Sequence, residues 1–305
     1  MVTDAERVQH EAALRGLLYL ACPNATSPAI TSAAEAIAQR SEETPQEPVR
    51  EAARLKRSRW VAPPHPAYLK GADLTGAYLI DAILAEADLT GANLAGANLK
   101  GADLTGANLI DADLIDANLR GANLSGANLI DAILAQADLT NANLAGADLT
   151  NARLVNAHLK SANLTGAYLT GLNMRGAILA GANLTDAILT GATLTAAGLY
   201  DAKLTGADLT GADLTDASLV HAQLTGANLS DAHLTGANLT DTDLKGTRLR
   251  SAVGMRLPSG ATWNRETWWP TELASTVAEQ SDEVSPGVYR VRGGPTPDRS
   301  GTVAV

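Results

Sequence analysis

Leucine returns at every fifth residue from Leu69 to Leu249, without an insertion or a deletion. The 37 central positions of this array hold 36 leucines and Met174. Two residues upstream, 34 of the 37 positions are alanine, the exceptions being Leu172, Thr242 and Thr247. A period of five excludes both regular elements. On an α-helix each leucine would be rotated by about 140° from the last, so no apolar stripe could form. On a long straight strand, an odd period would send successive leucines to opposite faces. The beat is satisfied by a short extended piece followed by a corner. Alanine and leucine then point inward together and the residue between them points outward. The next two residues, most often Thr-Gly, Ile-Asp or Ala-Gly, make the turn. Glycine tolerates positive φ there, and Asp or Asn bonds to nearby backbone. A chain built this way coils around its own leucines.

Ala72-Asp73-Leu74, Ala92-Asn93-Leu94, Ala107-Asn108-Leu109 and Ala237-Asn238-Leu239 show the pattern in full. In this the sequence resembles the pentapeptide-repeat family, whose motif is Ala-(Asp/Asn)-Leu-X-X. The resemblance implies an all-β solenoid, a right-handed quadrilateral parallel β-helix with four repeats to a coil. The array over 67–251 would then make about nine coils, and at about 4.8 Å per stacked strand the rod would be roughly 44 Å long.

Ordering five backbone residues costs roughly 5–10 kcal/mol, whereas burying one leucine returns about 1.5–3 kcal/mol. A lone repeat cannot fold, and stacking has to supply the difference, as in other quasi-one-dimensional proteins. A narrow interior requires a small residue before each leucine. Leu172 and Met174 break that rule together, and the flexible Met174 makes room for the larger Leu172 as a compensated packing defect, with a functional kink as the alternative. Gly76–Leu94 and Gly126–Leu144 are nearly the same string, offset by two and a half coils, which reads as duplication.

An open solenoid end exposes strand edges and leucines, so the flanks are expected to close it. Residues 1–60 read as a helical segment, with Asp4 capping a first helix and Ser27-Pro28 opening a second. Residues 61–66 are a proline-rich entry. Residues 252–284 read as a C-terminal cap with a short helix from Pro270 to Glu279, and 285–305 as a flexible tail with at most one short strand. All four tryptophans stand outside the leucine beat, and Trp60, Trp263, Trp268 and Trp269 are candidate cap core, or alternatively contacts of a homodimer formed through the C-terminal segment.

The chain carries a net charge of −10, and the array alone has 19 acidic and 10 basic residues. An acidic rod argues against nucleic acid as a direct ligand, because phosphate binding needs a basic face. Folding the repeats four to a coil gathers Asp88, Asp111, Asp131, Asp148, Asp208 and Asp231 on one side as a candidate acidic interaction face. The basic residues of that side, Lys70, Arg248 and Arg250, lie at its ends, and Lys100, Arg120 and Lys160 share another side.

Catalytic chemistry is not expected. The five histidines are scattered, no metal-ligand spacing or phosphate loop occurs, and Cys22 is alone. No cofactor is implied. The run before Cys22 is too short and too acidic at its start for a lipoprotein signal, and no stretch reaches transmembrane length, so a cytoplasmic location without membrane attachment is the expectation. Two functions are weighed. One is a protein-interaction scaffold, with residues 1–60 as a docking or oligomerisation part. The other follows from the resemblance: some members bind DNA gyrase or related type II topoisomerases as duplex mimics, inhibiting the enzyme or protecting it from quinolone-like poisons. Such members commonly place Phe at central positions, and this chain has none.

Overall fold

The computed structural model describes residues 69–293. The expected N-terminal helices, the proline-rich entry and Trp60 lie outside these residues. From Asp73 to His233, each outward residue pairs in parallel with the residue twenty positions on, as in Asn123 with Asn143 and Asn143 with Asn163. Four such columns run along the rod. The first wall starts at Asp73, the second at Tyr78, the third at Ile83 and the fourth at Asp88.

Two wall bonds and one corner bond per repeat, such as the Gly126 amide to the Ala145 carbonyl at 2.9 Å, make the ladder. Around Leu124, the Leu124 amide donates to the Asn143 carbonyl at 2.6 Å and the Asn143 amide donates to Ala122 at 2.9 Å. Each corner is closed by an amide three residues after a leucine, as where Ala127 donates to the Leu124 carbonyl at 3.0 Å. The residue before each alanine has positive φ, which together with that bond is the signature of a type II turn. Of these corner residues 17 are not glycine, and most of those are Asp or Asn, the side chains that best tolerate the left-handed region. Ala196, at φ 56°, has no such excuse.

Alanines and leucines of the array form one buried column, with Leu104, Leu124 and Leu144 fully enclosed. Leu172 and Met174 are also fully enclosed, and the bridges through Asn173 run unbroken. The turn bond into Leu172 is 3.3 Å, longer than at most corners. Thr242 and Thr247 replace alanine without leaving a buried hydroxyl unpaired. Thr242 donates to the Leu239 carbonyl at 2.6 Å, and Thr247 donates to Leu224 at 2.8 Å.

The tryptophans require a correction. The ladder does not stop at 251, because Asp243 pairs with Thr262 and Arg248 with Trp268. One residue is lost from the beat between Asp243 and Thr262 and is made up before Trp268, which stands twenty residues after Arg248. Trp263 and Trp269 therefore take the inward positions that leucines hold below, and they meet edge to face at 5.9 Å. Trp269 is buried. Trp268, expected as cap core, instead points outward from the fourth wall and is 55% exposed, because it occupies the middle position of its rung.

The cap runs on into a hairpin whose second arm is the one short strand allowed for the tail. Beyond β1 (Thr262–Asn264) and α1 (Ala274–Glu279), residues Ser281–Ser285 form β2 and Val288–Val291 form β3. These strands make an antiparallel sheet in the order β1-β3-β2. Tyr289 of β3 stacks on Trp263 with ring centroids 4.7 Å apart, and the Trp263 indole donates to the Ser281 hydroxyl at 2.9 Å. Val277 and Val291 are fully buried against the end of the leucine column. An apolar surface was available for the segment after 284, and the hairpin covers it.

Candidate interaction surface

The outward position between alanine and leucine favours Asp and Asn for a local reason. Its side-chain oxygen accepts the amide two residues on, at the corner, in an Asx turn. Asp148 accepts the Thr150 amide at 3.0 Å and its hydroxyl at 2.6 Å. Asp88 does the same with Thr90, at 3.1 and 2.5 Å. Asp208 accepts from Thr210 in the same way, and also receives Thr190 on its second oxygen at 3.3 Å. On the third wall the amides join between coils as well, Asn143 donating to Asn123 at 2.9 Å and Asn163 to Asn143 at 3.0 Å.

The six candidate aspartates fall on one edge of the rod in two different settings. Asp88, Asp148 and Asp208 stand in the fourth wall, half-buried between rungs and partly engaged with their threonines. Asp111, Asp131 and Asp231 sit at the corner that joins the fourth wall to the first, exposed, with φ of 57°, 58° and 60°. Asp111 and Asp131 stand on consecutive coils. The wall aspartates are not contiguous, since Asn108 and Asn128 separate Asp88 from Asp148, and Tyr168 and Ile188 separate Asp148 from Asp208.

Lys100, Arg120 and Lys160 occupy the diagonally opposite corner, between the second and third walls. Arg120 is held by Asp138 at 3.0 Å. Burial raises the Asp138 pKa, but bonds from Thr140 and Arg120 outweigh it and leave the carboxyl below its ordinary range. Asp213, on the first wall, is also lowered, chiefly by the Thr215 hydroxyl, against the effect of burial, and further by Thr195 and the nearby His233.

Reasoning from sequence missed three features of this edge. Asp73, Asp113 and Asp213 lie across the corner on the first wall and widen the acidic strip, though Arg153 interrupts it. Tyr168, 50% exposed, and Ile188 make an apolar centre in the fourth wall. At its C-terminal end, Arg248, Arg250, Trp268, Ser230, Ser251 and Thr271 line a shallow open groove of about 670 Å³. The twenty-residue period could have found all three, since Trp268 stands twenty residues after Arg248. Among the described residues, no three His, Cys, Asp or Glu side chains could hold a metal ion. No helix among them is long and apolar enough to cross a membrane.

Comparison with solved structures finds HetL, a pentapeptide repeat protein involved in heterocyst differentiation regulation in the cyanobacterium Nostoc sp. strain PCC 7120. It is 38% identical, with 60% of this chain and 83% of HetL covered at a TM-score of 0.41. A pentapeptide repeat protein of the Arabidopsis thaliana thylakoid lumen is 34% identical over 37% of this chain and 72% of its own, at a TM-score of 0.29. A trypsin-treated form of QnrB1, a plasmid-mediated fluoroquinolone resistance protein, is 20% identical over 66% of this chain and 94% of its own, also at 0.29. No curated protein matches the sequence. The family model for pentapeptide repeats matches residues 67–106, 107–145, 142–181, 177–216 and 217–253, well over half of the chain and the same span that carries the leucine ladder. The chain belongs to the pentapeptide-repeat family.

Proposed function

We propose that this chain is a non-catalytic, cytoplasmic interaction scaffold. In this proposal it is a right-handed, four-sided rod of about nine coils that docks a protein partner along its acidic edge. The observation that carries the proposal is the gathering of Asp111, Asp131 and Asp231 at one exposed corner, with Lys100, Arg120 and Lys160 diagonally across the rod. Complementary charge of this kind sets the orientation and rate of docking more than it sets affinity, so the partner would present a basic surface. A pull-down with the full chain tests this. Reversing the three corner aspartates to lysine should abolish capture of a partner that the K100E/R120E/K160E variant still captures. Equal capture by both variants would refute the assignment of the edge.

Mimicry of duplex DNA toward gyrase or another type II topoisomerase is the second reading, and the rod's net acidity favours it. Charge density weighs against it. Duplex DNA carries one negative charge per ~1.7 Å of axis, so a rod of roughly 44 Å would need about 26. This array carries 19 acidic residues against 10 basic ones, and Tyr168 and Ile188 interrupt the fourth wall. A supercoiling assay with and without a fluoroquinolone decides it. Inhibition of gyrase, or rescue of gyrase from the drug, would place mimicry ahead of the general scaffold.

A further inference from the structure

We propose that the second wall, from His158 to Ser218, is a docking surface for an acidic, apolar segment of another protein, on the face of the rod opposite the fourth wall. The column there reads His158, Ile178, Gly198, Ser218. Ile178 is 44% exposed, and Tyr200, at the corner beside Gly198, is 48% exposed. Ala180 and Ala196 are exposed on the two margins. The Tyr200 ring stands edge to face on the His221 imidazole with centroids 5.5 Å apart, so it is already oriented before anything docks. Three rungs span about 14 Å, the scale of an anchor that seats one or two side chains of a partner.

The rod does not need these residues to fold. Gly198 lacks the positive φ of a corner, and an added Cβ would meet only the Ala177 carbonyl, at 4.0 Å. Elsewhere on this wall the same position holds Asn98, Asn118 and Asn238. Their oxygens bond the corner, as Asn118 accepts the Arg120 amide at 3.2 Å. Ile178 and Gly198 supply no such oxygen on two consecutive rungs. Ala196 holds φ 56° at a corner where the other non-glycine residues are all polar. Together these three choices clear polar side chains from around one exposed tyrosine. A strand glycine with no backbone reason marks a place that another molecule approaches closely.

Charge selects the occupant. Lys160 lies one rung below Ala180, Arg175 at the corner beside Ile178, and Lys203 across the corner from Tyr200. All three are exposed, and none forms an ion pair among the described residues. The array has ten basic residues against 19 acidic ones, so three cations around one apolar patch depart from the character of the rod. Asp201 and Asp216 are the exposed carboxylates at its margins. A segment with Asp or Glu on both sides of a bulky apolar residue fits: the apolar group lies over Gly198 between Ile178 and Tyr200, and its carboxylates reach the three cations. A small amphiphile on this open wall would leave most of its surface in water, whereas small-molecule sites enclose their ligands. A second copy would have to offer the acidic edge already assigned to a basic partner, and stacking opposite walls does not close. The surface therefore makes the scaffold two-sided, with a basic partner at the Asp111 corner and an acidic one diagonally across.

Selection from a random peptide library displayed on phage tests the assignment, using the full chain with counter-selection on Gly198→Asn. Asparagine is what this wall carries at the same place, so Gly198→Asn should be at least as stable as the parent in chemical denaturation. Surviving peptides should carry Asp or Glu around a bulky apolar residue. A synthetic copy of one should bind Gly198→Asn and Ile178→Asn about tenfold more weakly than the parent. Lys160→Glu/Lys203→Glu should weaken it by a similar factor, through two lost ion pairs and their replacement by like charges. Reversal of Asp111, Asp131 and Asp231 to lysine should leave it unchanged, so capture at the acidic corner succeeds or fails separately. Absence of enrichment, basic survivors, or binding that Gly198→Asn and Ile178→Asn leave intact would overturn the proposal. So would a Gly198→Asn chain less stable than the parent, since the glycine would then serve the fold. Sedimentation in which the parent self-associates and Gly198→Asn does not would overturn it too, by giving the wall to a second copy.

Discussion

Leu124→Ala is the sharpest test of the ladder. Leu124 is fully buried in the leucine column, one rung above Leu104 and one below Leu144. Lost burial of the side chain costs about 2 kcal/mol, and the cavity adds to it according to how little the surroundings can collapse. Collapse is opposed on both sides. The rungs are pinned by the Leu104 amide to the Asn123 carbonyl at 2.7 Å and by the Leu124 amide to Asn143 at 2.6 Å. Closing the void would mean breaking one of these. The loss should therefore fall near the upper part of the usual Leu→Ala range, about 4 kcal/mol. Two comparisons bracket it. Leu124→Met keeps the volume, as Met174 does further along, and should cost less than about 1.5 kcal/mol. Asn123→Ala removes wall bonds only and should cost about 1 kcal/mol. Because each coil contacts only its neighbours, the damage should be local. Native-state hydrogen exchange should show lost protection at amides from Leu104 to Leu144 and little change near Leu219. A cost below about 1.5 kcal/mol, or protection lost evenly along the rod, would refute the pinned-rung account.

Ala196→Gly relieves a left-handed strain of about 1–2 kcal/mol and gives back roughly 0.4–1 kcal/mol in chain entropy, so the free energy of unfolding, measured by chemical denaturation, should rise by a net of about 0.5–1 kcal/mol. Trp263→Ala removes the stack on Tyr289, the edge contact with Trp269 and the bond to Ser281. Loss of about 3–5 kcal/mol should appear first as faster amide exchange in Val288–Val291 and in the coil ending at Leu249. Asp138 and Asp213 titrate below their ordinary range in the folded chain, so each adds stability that is present above about pH 4 and lost as pH falls through the folded value. Asp213→Asn should accordingly lower stability at neutral pH and meet the parent curve at the acid end, so that the fall with acid becomes shallower.

The rod was legible because its period is shorter than any regular element and never slips. Ala-X-Leu announces which side chains go in, and Gly, Asp or Asn at every fifth place announces a corner with positive φ. Grouping the repeats by twenty put the six aspartates on the correct edge. It did not separate wall from corner, because the beat assigns a column and says nothing of the local bonds that occupy Asp148 while leaving Asp131 exposed. The C-terminal end was hidden by a single missing residue. Counting by five from Leu249 lands on Gly254 and misses Trp263, which the slip before Thr262 puts in a leucine place, while Trp269, twenty residues after Leu249, stays on the beat. The hairpin had a signal of its own. Ser285-Pro286-Gly287-Val288 places proline and glycine where a type II turn wants them, and Gly287 has φ 75°. The tail's polar composition outweighed that signal until the apolar end of the rod was there to be covered.

The acidity of the rod follows in part from its turns. An Asx turn needs a side-chain oxygen at the outward position, and Asp and Asn supply it equally well, as Asp148 with Thr150 and Asn163 with Thr165 show. Folding therefore fixes that an oxygen stands at each such place and leaves its charge free. A wall can take charge without disturbing its turns, at the cost of the bonds that Asn143 and Asn163 donate between coils on the third wall. The third wall has run to neutrality, with Asn123, Asn143, Asn163 and Asn183 in succession, while the exposed corner beside the fourth wall has taken Asp111, Asp131 and Asp231. Where the same turn chemistry would accept either residue, the choice of charge is set by what meets the surface. That makes the contrast between these columns, and not the total charge of the chain, the quantity that points to a partner.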